Sequence, residues 1–180
     1  MLSRFVRATV ESHQCRRPRG YLLELDSTFC KVHQSACLSS KDQAIGASRG
    51  GKNTKVHVLI NERMQLLNVI LTGGQIHDSE PAIELLKSVA LKGKKILADK
   101  AYSNEHIRVF LAEHGAFACI PDKANFRIKH AFDCELYKQR NIVERFFQRI
   151  KNYRHVATRY DKLALCFENF VLLAACVIHF

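Results

Sequence analysis

Three acidic side chains fall where carboxylates could share divalent cations. Asp26 closes the apolar run YLLELD (Tyr21 to Asp26), Asp99 closes KILAD (Lys95 to Asp99), and Glu144 lies within a late amphipathic stretch. An all-carboxylate set with open water positions suits a hard cation such as Mg²⁺, with Mn²⁺ as a substitute. A pair of such ions can stabilise both the attacking and the leaving oxygen of a displacement at phosphorus. Each acid alone has a plainer reading. An aspartate at a strand end is most often a turn or helix cap, and a glutamate among helical cations is an ordinary ion-pair face. The combination of three acids, in order and on elements able to converge, is what points to chemistry.

The surroundings of Glu144 add to this. At about 100° per residue from Tyr137, Arg140 falls near 300°, Glu144 near 340° and Lys151 near 320°. Ile142, Val143, Phe146, Phe147 and Ile150 cover the arc of about 140° to 280° that would be buried, and Arg145 and Arg149 point elsewhere, near 80° and 120°. A carboxylate flanked along one stripe by two cations and a phenol suits a metal and phosphate site, the acid binding the ion while the cations hold the anion.

The elements that must position these residues follow from periodicity. Tyr21 to Asp26 reads as a buried strand, followed by a Ser- and Gly-rich loop up to Asn53. KVHVLI (Lys55 to Ile60) and LLNVIL (Leu66 to Leu71) are β-branched runs joined at hairpin length, giving three neighbouring antiparallel strands. Asp78 or Ser79 can cap a helix that carries Pro81 in its first turn and ends near Gly93. Lys95 to Asp99 is a further strand, Asn104 to His114 a helix, Phe117 to Ile120 a short strand, Glu135 to Asn152 a long helix, and Leu163 to Phe180 an apolar helix. The order is similar to the ribonuclease-H-like fold, an α/β domain with a mixed five-stranded sheet flanked by helices. In that fold the first and fourth strands are neighbours, so Asp26 and Asp99 are expected side by side, with Glu144 reaching them from a covering helix.

Composition bounds the partners. The 180 residues allow one domain with a proper core. Residues 1–20 read as a basic lead-in or linker, and residues 21–180 as the domain. Lys and Arg number 28 against 17 Asp and Glu, a formal charge of +11. That excess favours a polyanion such as nucleic acid, although a solvated basic surface or an acidic membrane satisfies charge alone. Seven cysteines without a C-x-x-C pair read as free thiols in a reducing cytoplasm rather than a zinc site or disulfide framework. The N-terminus carries charges where a secretory h-region should be. The most apolar stretch, Phe170 to Ile178, is far short of the roughly 20 residues that span a bilayer, so no membrane anchor is expected.

Three stretches now carry a resemblance: LDSTFCKVHQ around Asp26, ILADKAYSN around Asp99, and YKQRNIVERFFQRIKNYRHVATRYDK around Glu144. They resemble bacterial insertion-sequence transposases with an aspartate, aspartate, glutamate (DDE) triad, of the broad group typified by insertion sequences 4 and 5. The family's tyrosine, arginine, glutamate, lysine signature is met by Tyr137, Arg140, Glu144 and Lys151. DQAIGASRGGKNTKVHVLIN and LTGGQIHDSEPAIELL also look like the family, so the likeness covers roughly residues 21 to 180.

The resemblance implies Asp26, Asp99 and Glu144 as catalytic ligands of two Mg²⁺ ions, with Arg140 and Lys151 near DNA phosphates and Tyr137 helping to position the strand being cut. It implies cleavage and strand transfer of double-stranded DNA at element ends and target, in the cytoplasm at the nucleoid, by a homodimer assembled on DNA. Full-length members carry a helical N-terminal region that recognises the element's ends. Only about 20 residues precede the first strand here, so the chain is similar to the downstream half of a transposase made from two reading frames, or to a truncated copy, with an N-terminal half as a partner. The basic loop with Lys123, Arg127, Lys129 and His130, and then Arg154, Arg159 and Lys162, are expected to touch DNA backbone, a solvated loop being the plainer alternative for any one of them. His33, His57 and His77 are expected in structural or hydrogen-bonding roles. The rival functions are an inactive DNA-binding remnant and a stand-alone nuclease of the same fold.

Overall fold

The apolar run that begins at Leu22 forms a strand because both of its faces can be buried, and it runs on well beyond Asp26. In the computed structural model, which describes residues 21–37, 43–123, 126, 130, 133–179, strand β1 spans Leu22–Val32. The expected lead-in over residues 1–20 lies outside the described residues, as do Arg127 and Lys129. After β1 come β2 (Gly46–Ser48), β3 (Gly51–Asn61), β4 (Leu66–Gly73), helix α1 (Ala82–Lys87), β5 (Lys95–Ala98), α2 (Glu105–Glu113) and β6 (Phe117–Cys119). The chain continues through α3 (Cys134–Tyr137), α4 (Asn141–Lys151), α5 (Arg154–Ala157), β7 (Thr158–Arg159) and α6 (Ala164–Val177).

The expected mixed five-stranded sheet is present in the order β4-β3-β1-β5-β6, antiparallel from β4 to β1 and parallel from β1 to β6. Two short strands extend it. β2 pairs with β3 beyond the end of β4, and β7 pairs parallel with β1 at Lys31 and Val32. The stretch read as a loop up to Asn53 therefore contains part of β1, all of β2 and the start of β3.

This changes the place of Asp26. It does not end β1; it stands inside the strand opposite Val58. What ends there is the parallel partner, since the β1–β5 register closes at Leu25 and Ala98. Between that point and β7, residues 26 to 30 of β1 have a described strand partner on one side only. The gap is a notch in the sheet, and Asp26 and Asp99 flank its start.

Helices cover both faces. Val56, Val58 and Ile60 of β3 pack on Val143, Phe146 and Ile150 of α4 and Phe167 and Val171 of α6. Leu23, Leu25 and Leu59 meet Leu85 and Leu86 of α1 and Ile107 and Leu111 of α2 on the other face. All five residues assigned to the apolar arc of α4 are buried.

Two helices depart from expectation. Asp78 caps nothing, because its carboxylate is taken by Lys55 Nζ at 2.9 Å and Ser27 Oγ at 2.7 Å. Pro81 stands at the N-cap instead, and α1 stops at Lys87 with Ser88 as its C-cap. A buried lysine left without a counterion costs more than a lost cap. The long helix expected over Glu135 to Asn152 is broken by a 3₁₀ turn at Lys138–Arg140. Residues three apart eclipse in a 3₁₀ turn, and Arg140 accordingly lies over the Tyr137 ring, 5.8 Å from its centroid.

Candidate active site

Asp26 is held from two sides. The Ser27 N–H donates to its Oδ1 at 2.8 Å and Arg140 Nη1 to its Oδ2 at 3.2 Å. Burial pushes its carboxyl up to about 6, the charges of Asp99 and Asp78 add to the rise, and the Ser27 N–H and Arg140 oppose it. Asp99 follows the last β1–β5 pair directly, and its Oδ1 accepts from the Ala101 N–H at 2.7 Å, capping a 3₁₀ turn over Lys100–Tyr102. The plainer role of a strand-end aspartate is thus filled without removing this carboxylate from the neighbourhood of Asp26.

Glu144 comes from α4 and is more open, its side chain 54% exposed. Arg140 donates through Nη2 to Glu144 Oε1 at 2.8 Å while Nη1 holds Asp26. One guanidinium therefore spans the acid of β1 and the acid of α4. Lys151, at the end of the same helix, donates to Thr28 Oγ1 at 2.6 Å and to the Phe29 carbonyl at 3.0 Å, fastening α4 along β1. Tyr137 packs half-buried against Leu22, Leu97 and Cys119, and that burial raises its phenol above the usual range.

The arrangement fits cations in its chemistry rather than as a finished cage. Among the described residues no three Asp, Glu, His or Cys side chains already converge at metal-binding distances. What the residues offer is an all-oxygen donor set in which Asp26 is desolvated and crowded by other acids, the situation a bound cation relieves. Arg140 supplies part of that positive charge.

Sequence reasoning missed Glu24 and Lys55 behind the three candidate acids, while His57 takes the hydrogen-bonding role expected of it. Glu24 is fully buried in mid-sheet, and its Oε2 accepts from the Val143 N–H at 2.9 Å. On the opposite face of β1, Ser27, Asp78 and Lys55 form a chain, and Lys55 Nζ also reaches the Ile76 carbonyl at 2.6 Å. Buried His57 bonds Thr72 Oγ1 through Nε2 at 2.7 Å, and burial lowers its imidazole to about 4. The available signal was a charged or polar residue in strands whose both faces must be covered, as in YLLELD and KVHVLI. Such a residue needs a buried partner.

The peripheral basic residues divide. Arg159 is not available to DNA backbone. It is fully buried, donating to the carbonyls of Gln43 (2.8 Å), Asp161 (2.9 Å) and Lys162 (3.3 Å) and to Thr54 Oγ1 (2.8 Å). Its place in β7 turns the side chain inward, and its guanidinium binds loop carbonyls that no strand pairs. The His130 ring and backbone N–H are both engaged by Asp122, which also takes Arg108 at 2.7 Å. Lys123 is half-buried, whereas Arg154 and Lys162 are exposed. His33 and His77 make local bonds to Ser35 and Ser79, both at 2.8 Å. Among the described residues no helix is long and apolar enough to cross a membrane.

Comparison with known proteins places the chain in a family. Two family models, each described as a transposase DDE domain, match residues 17–135 and residues 96–180. A Brucella ovis protein named as a transposase for insertion sequence element IS6501 is 33% identical over 126 residues, which make up 69% of this chain and 96% of that protein. Among solved structures, a piggyBac transposase synaptic complex with hairpin DNA superposes with a TM-score of 0.57 at 12% identity, over 92% of this chain. The chain spans about half the length of that structure, 48%, and the likeness speaks to fold alone. The DDE transposase family is dependent on divalent metal ions. Family match, relative and fold agree: the chain belongs to the bacterial insertion-sequence DDE transposases and is a DNA transposase catalytic domain, of the polynucleotidyl transferase and endonuclease class.

Proposed function

We propose that this domain cuts and joins DNA at the notch between β1 and β5, with Asp26, Asp99 and Glu144 as the catalytic carboxylates. The observation that carries the reading is Arg140, which spans Asp26 and Glu144 from positions 114 and 4 residues away. A cation holding two acids together is how such a site balances its charge before it meets metal and phosphate.

In the reaction, the oxygen of a water molecule bonds to phosphorus as the P–O3′ bond breaks, leaving a 3′-hydroxyl on one end and a 5′-phosphate on the other. That hydroxyl then attacks a target phosphodiester, exchanging one P–O bond for another with no covalent protein intermediate. When bound by the three carboxylates, two Mg²⁺ ions, replaceable by Mn²⁺, supply charge neutralisation at the scissile phosphate. The protein's own part is positional. The Ser27 N–H and Arg140 keep Asp26 ionised despite its burial, and Arg140 turns Glu144 toward β1. Arg140 and Lys151 then offer positive charge to the DNA backbone, and Tyr137 packs beside the strand being cut, with Lys123, Arg127 and Lys129 adding backbone contacts.

The partner is double-stranded DNA at element ends and target, supported by the formal charge of +11. Pairing of two ends calls for a dimer on DNA, acting at the nucleoid, and an N-terminal recognition region supplied from another reading frame would complete it. The signature formed by Tyr137, Arg140, Glu144 and Lys151 favours the group of insertion sequences 4 and 5.

A Mg²⁺-dependent assay on DNA carrying the element's terminal repeats tests the reading. Nicking followed by joining to a target supports it. Nicking without joining would identify a stand-alone nuclease, and binding without nicking an inactive remnant; either result overturns it.

A further inference from the structure

A fourth acid, Glu24, is built into the domain in a way the three-carboxylate reading does not use. It sits at the centre of the sheet, opposite Ile60 on β3 and Leu97 on β5, with no exposed surface. Its Oε2 reaches 119 residues along the chain to the backbone N–H of Val143, and its Oε1 is buried with no hydrogen-bond partner among the described residues. Helix α4 has no side-chain cap from its own sequence, because the guanidinium of its N-cap residue Arg140 carries only donors. Glu24 therefore serves as the missing N-cap, donated by a strand.

The position of this bond matters more than its strength. Val143 immediately precedes Glu144, and Glu24 lies two residues before Asp26, on the same face of β1. A single hydrogen bond thus ties the two backbones that carry the first and third acids. Apart from the long-stemmed Arg140 and Lys151, whose bonds to β1 can follow a shift, the α4 contact consists of Ile142, Val143, Phe146, Phe147 and Ile150. Such apolar burial is non-directional and tolerates small slips and rotations of a helix. The bond from Glu24 does not. An apolar side chain at position 24 would avoid the cost of burying a carboxyl but would leave the buried Val143 N–H without its acceptor. Fold stability alone therefore calls for an acceptor here and not for a charge.

We propose that Glu24 is a positioning residue that sets the register of the catalytic helix on β1, and through it the separation of Asp26 and Glu144. This rests on the reading of the domain as a DNA-cutting enzyme, and the test keeps the two apart. Glu24→Gln retains an acceptor for the Val143 N–H, whereas Glu24→Met fills the volume without one. Purified wild type and variants are compared by thermal melting, DNA affinity, single-turnover nicking in Mg²⁺, and amide hydrogen exchange at Val143 in metal-free protein.

The Gln variant is expected to nick near the wild-type rate and to protect Val143. The Met variant exchanges a buried carboxyl for an unpartnered N–H and is expected to melt within a few degrees of wild type and to bind DNA with unchanged affinity. It should nonetheless exchange Val143 faster and nick about 100-fold more slowly, the scale of loss that a misplacement of about 1 Å produces. A folded Met variant that nicks at the wild-type rate overturns the proposal. So does a loss shared equally by the Gln variant, or one that vanishes when nicking is measured well below both melting temperatures. If Glu24→Met does not fold, Glu24→Asp, which shortens the reach to Val143, must show the slowed nicking and faster exchange. If wild type itself does not nick, the DNA-cutting reading fails, and exchange at Val143 still decides whether Glu24 holds the helix.

Discussion

Replacing Arg140 by leucine removes the cation between two acids, and its consequences differ on the two sides. Glu144 is more than half exposed, so its 2.8 Å arm is an i,i+4 surface pair worth about 0.3–0.5 kcal/mol. Asp26 is only 18% exposed on its side chain, and its carboxyl stands at about 6 even with Arg140 in place. An adjacent arginine typically lowers a carboxyl by about 1–3 units, and since Arg140 ranks below burial and the Ser27 N–H among the influences on Asp26, the low end of that range applies and Arg140→Leu should carry Asp26 to about 7. At pH 7 the ionised fraction then falls from about nine-tenths to about one-half. The direct assay is a ¹³C-carboxyl NMR titration of metal-free protein, with Asp26 assigned through Asp26→Asn. A parallel shift of about one unit is expected in the acid limb of the pH profile for nicking in Mg²⁺. An Asp26 titration unmoved by Arg140→Leu would refute the claim that this guanidinium holds the acid ionised.

Arg159→Met should cost about 3 kcal/mol, or a Tm about 6–12 °C lower, by leaving buried carbonyls without donors. Its salt dependence of DNA binding should be unchanged, whereas Arg154→Gln, at an exposed position, should lower the salt slope by about one; the reverse pattern would return Arg159 to the DNA interface. His57 is held near 4, below its ordinary 6.5, so the stability it contributes is fully present above pH 6.5 and is lost as pH falls through 4. Between those limits wild type should lose about 3 kcal/mol relative to His57→Gln in urea melts, and parallel pH curves for the two proteins would contradict the assignment. Phe146→Ala removes a fully buried ring and should cost about 3–5 kcal/mol, read from the same melts.

Much of this site was legible before any coordinates. The order of elements and the buried arc of α4 follow from periodicity, and the place of Asp26 beside Asp99 from the neighbouring first and fourth strands of the fold that this order resembles. Three things were not. The length of β1 was hidden because Ser27, Thr28 and Lys31 look like loop residues, while their strand character comes from pairing with β3, a contact distant in sequence. Arg159 reads as a surface cation, and only the fold reveals that β7 turns it onto the Gln43 and Thr54 oxygens. The caps were misassigned for one reason: Asp78 can serve either a helix or Lys55, and local sequence shows only the nearer choice. Glu24 and Lys55, charged residues in the middle of covered strands, were the visible clue left unread.

The central claim is that Asp26, Asp99 and Glu144 carry the chemistry and not the grip on DNA. Mg²⁺-dependent nicking by Asp26→Asn, Asp99→Asn and Glu144→Gln, each measured beside its DNA affinity, tests it most directly. Each substitution should abolish cutting while leaving the Kd for DNA near that of wild type. Nicking that persists undiminished in all three would contradict the account.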